Sequence, residues 1–214
     1  SSDYPDLLPL CDGLLEWCEP HKVNLALPSL RADNFSMQLM EKLQRGGRKS
    51  GLTFAPEAGS QRLRDAINKN VTEEDLLNSC RTAFAGGWSS VKLYFMLGLP
   101  TETDEDVLGI ADLANKVYHV WRNNTPNRSR GVRITVSTSC FVPKSHTPFQ
   151  WEGQNTQEEY LRKVTLLREN LPESVKVKAS GGIRTLEDGA AYLELGADRL
   201  GASALVGEAR KEQA

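Results

Sequence analysis

Strand and helix periodicities alternate along all 214 residues, and that alternation restricts the fold more than any other feature of the chain. In Val175-Lys-Val-Lys-Ala-Ser180, Val175, Val177 and Ala179 alternate with Lys176, Lys178 and Ser180, as the two faces of a pleated strand require. Gly181-Gly182 follows as a turn, and Thr185 starts a helix. Five more segments read as strands: Val23–Arg31, Gly51–Gly59, Ser90–Pro100, Val132–Val142 and residues 198–202. Between them lie helical spacings. Leu7 to Cys18 carries Leu7, Leu8, Cys11, Leu14, Leu15 and Cys18 on one stripe, and Phe35–Leu43 stops at Gly46-Gly47. A short helix ends near Asn68. Thr72-Glu-Glu-Asp75 opens another that stops at Gly86-Gly87, and Thr103-Asp-Glu-Asp106 opens one built on Val107, Ile110, Ala111, Ala114, Val117 and Trp121. Gln157–Glu169 is a charged amphipathic helix, and a last one starts near Ala204.

Six strands alternating with helices predict an α/β fold with a parallel sheet and right-handed crossovers. The expectation is a single TIM-barrel-like βα-barrel domain over residues 1–214. A full barrel of this kind has eight strands, so six make it incomplete, or closed as a hybrid. An unpaired first strand would leave an edge open to self-association as a homodimer.

Charge narrows the partners. With 26 basic and 28 acidic residues interspersed and a formal charge of −2, no basic stripe is present for nucleic acid. The longest apolar run, Val91 to Pro100, is broken by Lys92 and Gly98, so no membrane span is expected. No signal peptide is visible, and the chain reads as cytoplasmic. It opens on Ser1-Ser-Asp-Tyr-Pro5 without a methionine, which reads as a fragment. Cys11, Cys18, Cys80 and Cys140 lack CxxC spacing and read as reduced, mostly buried thiols. His21, His119 and His146 show no metal spacing. Trp17, Trp88, Trp121 and Trp151 read as core or helix-packing residues.

The glycine turns carry the clearest site. Gly181 and Gly182 before a helix, with Gly201 and Ser203 in the echo Asp198-Arg-Leu-Gly-Ala-Ser203, let backbone amides approach an anion, so the expected ligand is phosphate or a sugar phosphate.

Two resemblances add to this reading. Gly51-Leu-Thr-Phe-Ala-Pro-Glu-Ala-Gly59 with Lys92-Leu-Tyr-Phe-Met-Leu-Gly-Leu-Pro-Thr-Glu-Thr-Asp-Glu-Asp106 resembles the radical S-adenosylmethionine superfamily, over roughly residues 1–171. The resemblance implies that Glu57 bonds the ribose or amino group of S-adenosylmethionine, that Gly98 passes the adenine, and that Arg31 meets the carboxylate. Glu57 also reads as a cap for the helix that follows, and Arg31 as a surface ion-pair residue. The family's CxxxCxxC loop would fall before residue 1, so no iron–sulfur cluster is expected of this chain.

Val175-Lys-Val-Lys-Ala-Ser-Gly-Gly-Ile-Arg-Thr185 and Gly196–Ser203 resemble the last strands of deoxyribose-phosphate aldolase, over residues 172–214. That resemblance implies a phosphate site at both glycine turns and places Lys178 beside the family's Schiff-base lysine. Thr135-Val-Ser-Thr-Ser-Cys-Phe141 puts Val136 at the counterpart of that lysine, and valine forms no imine. The combined expectation is a recombined or engineered hybrid barrel with an inherited phosphate site and no efficient catalysis. A radical-enzyme fragment and a weak aldolase using Lys178 are the alternatives.

Overall fold

The structure, a computed structural model, describes residues 4–23, 25, 51–129, 131–173, 175–180, 183–203 and 205. Helix α1 (Leu7–Cys18) precedes a repeating series. In order these are β1 (Leu52–Glu57), α2 (Gln61–Ala66), α3 (Glu73–Ala85), β2 (Ser90–Leu97), α4 (Asp104–Asn124), β3 (Arg133–Cys140), α5 (Gln157–Glu169), β4 (Val175–Ser180), α6 (Leu186–Glu194) and β5 (Arg199–Gly201). The described residues form a five-stranded parallel sheet in the order β1-β2-β3-β4-β5. The sixth strand, expected over residues 23–31, and the helix expected over residues 35–43 lie outside the described residues.

Sequential parallel order makes this an arc of βα-barrel. Each crossover of the same hand returns its helix to the same face of the sheet, so one face is helix-covered and the other is concave. Burial follows that division. On β2, Val91, Leu93, Phe95 and Leu97 are at most 1% exposed, while Ser90, Lys92, Tyr94 and Met96 are half-buried. Ile134, Val136, Val175, Val177 and Ala179 continue the helix-covered face and join Leu76, Phe84, Ile110, Leu113, Val117, Val164 and Leu167 in one core. Each large apolar side chain buried there contributes about 1.5–3 kcal/mol.

Helix starts follow the caps expected of the sequence. Thr72 with Asp75, Thr103 with Asp106, and Thr185 with Asp188 form capping boxes. Asp106 does more than cap. It is 3% exposed and accepts hydrogen bonds from Thr103 N at 2.8 Å, Ser60 Oγ and the Arg62 guanidinium. Burial alone would raise its pKa, but the hydrogen bonds from Ser60, Thr103 and Arg62 hold the carboxyl below the usual range. Arg62 also donates to Thr101 O at 2.8 Å, so one carboxylate ties the turn after β1 to the loop after β2.

Backbone contact tightens the same junction. A Cβ built on Gly59 would lie 2.8 Å from Gly109 C and closer still to Asp106 O and Ile110 N of α4. The buried Arg64 guanidinium donates to Ala58 O at 2.9 Å and Gly59 O at 3.2 Å, bracing the turn from below.

Two tryptophans depart from expectation. Trp88 and Trp121 are buried, but Trp17 is 58% exposed, stacked on His21, and Trp151 is 90% exposed. Trp17 lies with Leu10 and Leu14 on the face of α1 turned from the core, and Trp151 in a turn after β3 with no element over it. No disulfide joins Cys11, Cys18, Cys80 or Cys140; the first three are buried and Cys140 is half-buried. Among the described residues no helix is long and apolar enough to cross a membrane.

Asp106→Asn is expected to cost about 2–3 kcal/mol at neutral pH, read from urea unfolding. Because the folded pKa is depressed, that contribution is complete above the unfolded value near ~3.9 and is lost as pH falls through the folded value, so the gap between wild type and variant closes in acid. Gly59→Ala is expected to lower the urea midpoint more than Gly109→Ala, whose added Cβ meets nothing nearer than 3.0 Å.

Candidate functional site

The ends of β1 and β2 are built from backbone that most side chains avoid. A register shift between Phe54 and Glu57 bulges β1 and turns Glu57 to φ +70°. Gly98 has φ +86°, and Thr101, a β-branched residue, has φ +66°. Glu57 is half-buried and its Oε1 lies 3.2 Å from Lys69 Nζ. It does not cap the next helix, because Ser60 Oγ takes that role by accepting from Leu63 N at 3.1 Å. Gly98 is needed where it stands: a Cβ there would lie 2.8 Å from Asn155 Nδ2. Arg31 lies outside the described residues.

A buried ion pair supports this loop. Glu102 Oε1 accepts from Gly98 N at 2.8 Å and from Lys163 Nζ at 2.7 Å, with side-chain exposures of 3% and 7% for Glu102 and Lys163. A carboxylate and an ammonium removed from water together require such geometry. Sequence reasoning passed over both residues. Glu102 stood inside a quoted motif, and Lys163 looked like one more charge on an amphipathic helix.

On the concave face the ladder aligns Tyr94, Ser137, Lys178 and Arg199 in one row, and Met96, Ser139, Ser180 and Gly201 in the next row toward the strand ends. Lys178 and Ser180 pack over Gly201. A Cβ on Gly201 would lie 2.8 Å from Lys178 Cε and Nζ and would overlap Ser180 Oγ. Ser180 Oγ and Ser137 Oγ are buried with no hydrogen-bond partner. Among the described residues the Lys178 ammonium has no carboxylate partner, whereas its neighbour Lys176 is paired with Asp198 at 2.7 Å. Lys92 Nζ lies 5.7 Å from the centre of the Tyr94 ring on the same face. Gly181 and Gly182 lie outside the described residues, and Ser203 is exposed two residues beyond β5.

The ladder reassigns one position. Val136 pairs with Val177 on the helix-covered face, so it is not the residue beside Lys178. Ser137 is that residue, and it too lacks an amine.

Two of the thiols are held in their protonated form by their surroundings. Burial pushes the Cys80 pKa up to about 12, and burial together with the nearby Glu102 charge raises that of Cys140. Among the described residues no three His, Cys, Asp or Glu side chains converge as metal ligands would.

Comparison with known proteins gives two kinds of likeness. The model of the Radical SAM superfamily matches residues 2–114. An uncharacterized protein of Methanocaldococcus jannaschii is 38% identical over 150 residues, which are 70% of this chain and 30% of that protein. Deoxyribose-phosphate aldolase of Thermoanaerobacter sp. is 28% identical over 144 residues, 65% of this chain and 59% of the aldolase. The chain thus spans less than two thirds of either relative. The aldolase likeness also reaches well beyond the final strands to which the sequence motifs had confined it. Among solved structures, one described as QR15, an aldolase, covers 95% of this chain and 85% of its own at a TM-score of 0.45 and 17% identity.

The unpartnered hydroxyl of Ser137 yields a test of its own. A buried hydroxyl without a partner costs stability, so Ser137→Ala is expected to raise the unfolding free energy by up to about 1 kcal/mol. Thermal or urea unfolding reads the change, and a loss of stability would show that the hydroxyl has a partner in solution.

Proposed function

The chain belongs to the Radical SAM superfamily, and from that premise we propose that its own residues serve a different end, the binding of phosphate or a sugar phosphate at the ends of β4 and β5 without efficient catalysis. The observation that carries this reading is the packing of Lys178 and Ser180 over Gly201, with an ammonium that has no carboxylate partner among the described residues and unpartnered hydroxyls on one polar face. A cation with no acid beside it, next to hydroxyl donors and glycine turns, favours an oxyanion. Gly181, Gly182 and Ser203 would supply backbone and hydroxyl donors, as their sequence pattern suggests.

The superfamily's cluster requires three thiolates on its irons. Cys80, a protonated thiol in the apolar core, and Cys11 and Cys18, both buried on α1, do not suit that role. No step is assigned to a cluster held by these residues. S-adenosylmethionine would meet Glu57, whose carboxylate accepts hydroxyl hydrogen bonds. The open side of Gly98, however, is covered by Asn155. The reading as a radical-enzyme fragment therefore has less support from the geometry. The hybrid character of the chain, part radical-enzyme and part aldolase, is consistent with a site kept from one parent and chemistry lost from the other.

A second reading takes Lys178 as a Schiff-base nucleophile. Its amine would add to an aldehyde carbonyl and expel water to leave an imine. The lack of a carboxylate partner for its Nζ among the described residues favours this, while Ser137, beside it on β3, supplies no second amine.

Calorimetric titration with inorganic phosphate and with a sugar phosphate tests the first reading. The expected result is saturable binding, weakened at least about tenfold by Lys178→Ala and by Gly201→Ala. Binding that survives both substitutions places the oxyanion elsewhere. Borohydride trapping with an aldehyde tests the second reading: an adduct absent from Lys178→Ala supports it, and an adduct that persists there removes Lys178 as the nucleophile.

A further inference from the structure

On the helix-covered side of the sheet, away from Lys178, a pocket of about 340 Å³ opens between the first turns of α5 and α6 and the end of β3. Its inner wall is aromatic. Tyr160 and Tyr192 are each 2% exposed and meet edge to face, with ring centres 5.7 Å apart. Its rim is formed by Val142, Gln157 and Arg184, all exposed, with Asn155 between rim and wall.

Polar groups of both kinds line this space, and the one left unsatisfied is a donor. Asn155 Nδ2 is buried and has no hydrogen-bond partner. The Arg184 guanidinium forms no ion pair among the described residues. Glu187 and Asp188 follow it in the chain, and Asp188 is committed to Arg184 N and Thr185 N at 3.0 Å each and to Gln157 Nε2 at 2.7 Å. That last bond clamps the first turns of α5 and α6 together across the pocket. Burial pushes the Tyr192 pKa up to about 12, so its phenol stays protonated. Among the described residues no carboxylate lines the pocket.

One cation, neutral donors and two rings select a ligand class. A cationic ligand would face Arg184 with nothing to neutralise it. A phosphate dianion would set much of its charge against the aromatic wall, where desolvation goes uncompensated. A flat monoanion satisfies both halves, with its charge at the guanidinium and amide and its body on the rings. The volume lies at the small end of the range for ligand sites, which fits a single-ring acid.

We propose that this pocket binds a small aromatic monocarboxylate, its carboxylate held by Arg184 and Asn155 and its ring against Tyr160 and Tyr192. The site is separate from the oxyanion site on the concave face and does not depend on that reading. It also reaches the strand ends, because the Asn155 side chain that would hold the carboxylate is the one packed on Gly98.

The test is titration of the full chain with sodium benzoate at fixed ionic strength, followed by amide chemical shifts, with benzamide as the uncharged control. Saturable benzoate binding is expected in the millimolar range or tighter, with benzamide at least about tenfold weaker. Arg184→Gln is expected to weaken benzoate about tenfold, and Val142→Trp to block it by filling the rim. Both positions are exposed, so neither change threatens the core. Lys178→Ala is expected to leave benzoate binding unchanged, and inorganic phosphate is expected not to compete. The proposal is overturned by the absence of saturable binding at millimolar benzoate, by binding that both rim variants retain in full, or by displacement of benzoate by phosphate.

Discussion

The Asp106 carboxylate is the point on which the strand-end loops of this sheet depend. Ser60 and Arg62 reach it from the turn after β1, and Thr103 from the loop after β2. Arg62 carries the link on to Thr101 O, whose residue sits at a backbone angle that only surrounding contacts sustain. Gly59 lets the first turn lie directly on the α4 backbone. Without that approach Ser60 and Arg62 would stand too far from Asp106 to bond it. The strained angles at Glu57 and Thr101 are therefore held from one side by Asp106, and on the other Glu102 and Lys163 hold the turn at Gly98.

Much of the architecture was legible because it is written in local patterns. Strand alternation located all five described strands, and the Thr-x-x-Asp boxes at Thr72, Thr103 and Thr185 marked helix starts. Partners distant in the chain were not legible. Nothing local pairs Ser60 with Asp106, 46 residues on, or Glu102 with Lys163, 61 residues on. Nothing local marks Arg64 as the residue whose guanidinium lies under the turn after β1. Val136 is instructive in another way. Matching letters between families placed it beside Lys178, whereas the strict two-residue period of β3 puts Ser137 there.

The two proposed sites are separated by the sheet itself. Lys178, Ser180 and Gly201 occupy the concave face, while Tyr160, Tyr192 and Arg184 stand among the helices on the other side. Asn155 is the side chain that touches both the helix-side pocket and the strand ends, since it lines the former and covers Gly98. Family membership names the ancestry of the first half of the chain. The chemistry open to the chain follows instead from which polar groups are left without partners.

The concave face has a consequence for how such a protein changes over generations. A filled barrel stacks bulky apolar side chains inside its strands, so nearly every interior substitution disturbs packing. Here Thr135, Ser137, Ser139, Lys92 and Lys178 occupy that face, and the main apolar core of the described residues lies on the helix side, with Met96 packed on a small second cluster of Ala58, Leu63, Leu99 and Phe141. Stability and ligand chemistry are thus encoded on alternate residues of the same strands. Selection is free to rewrite one set while the other stays fixed, which makes the arc a tolerant substrate for the evolution of new binding specificities.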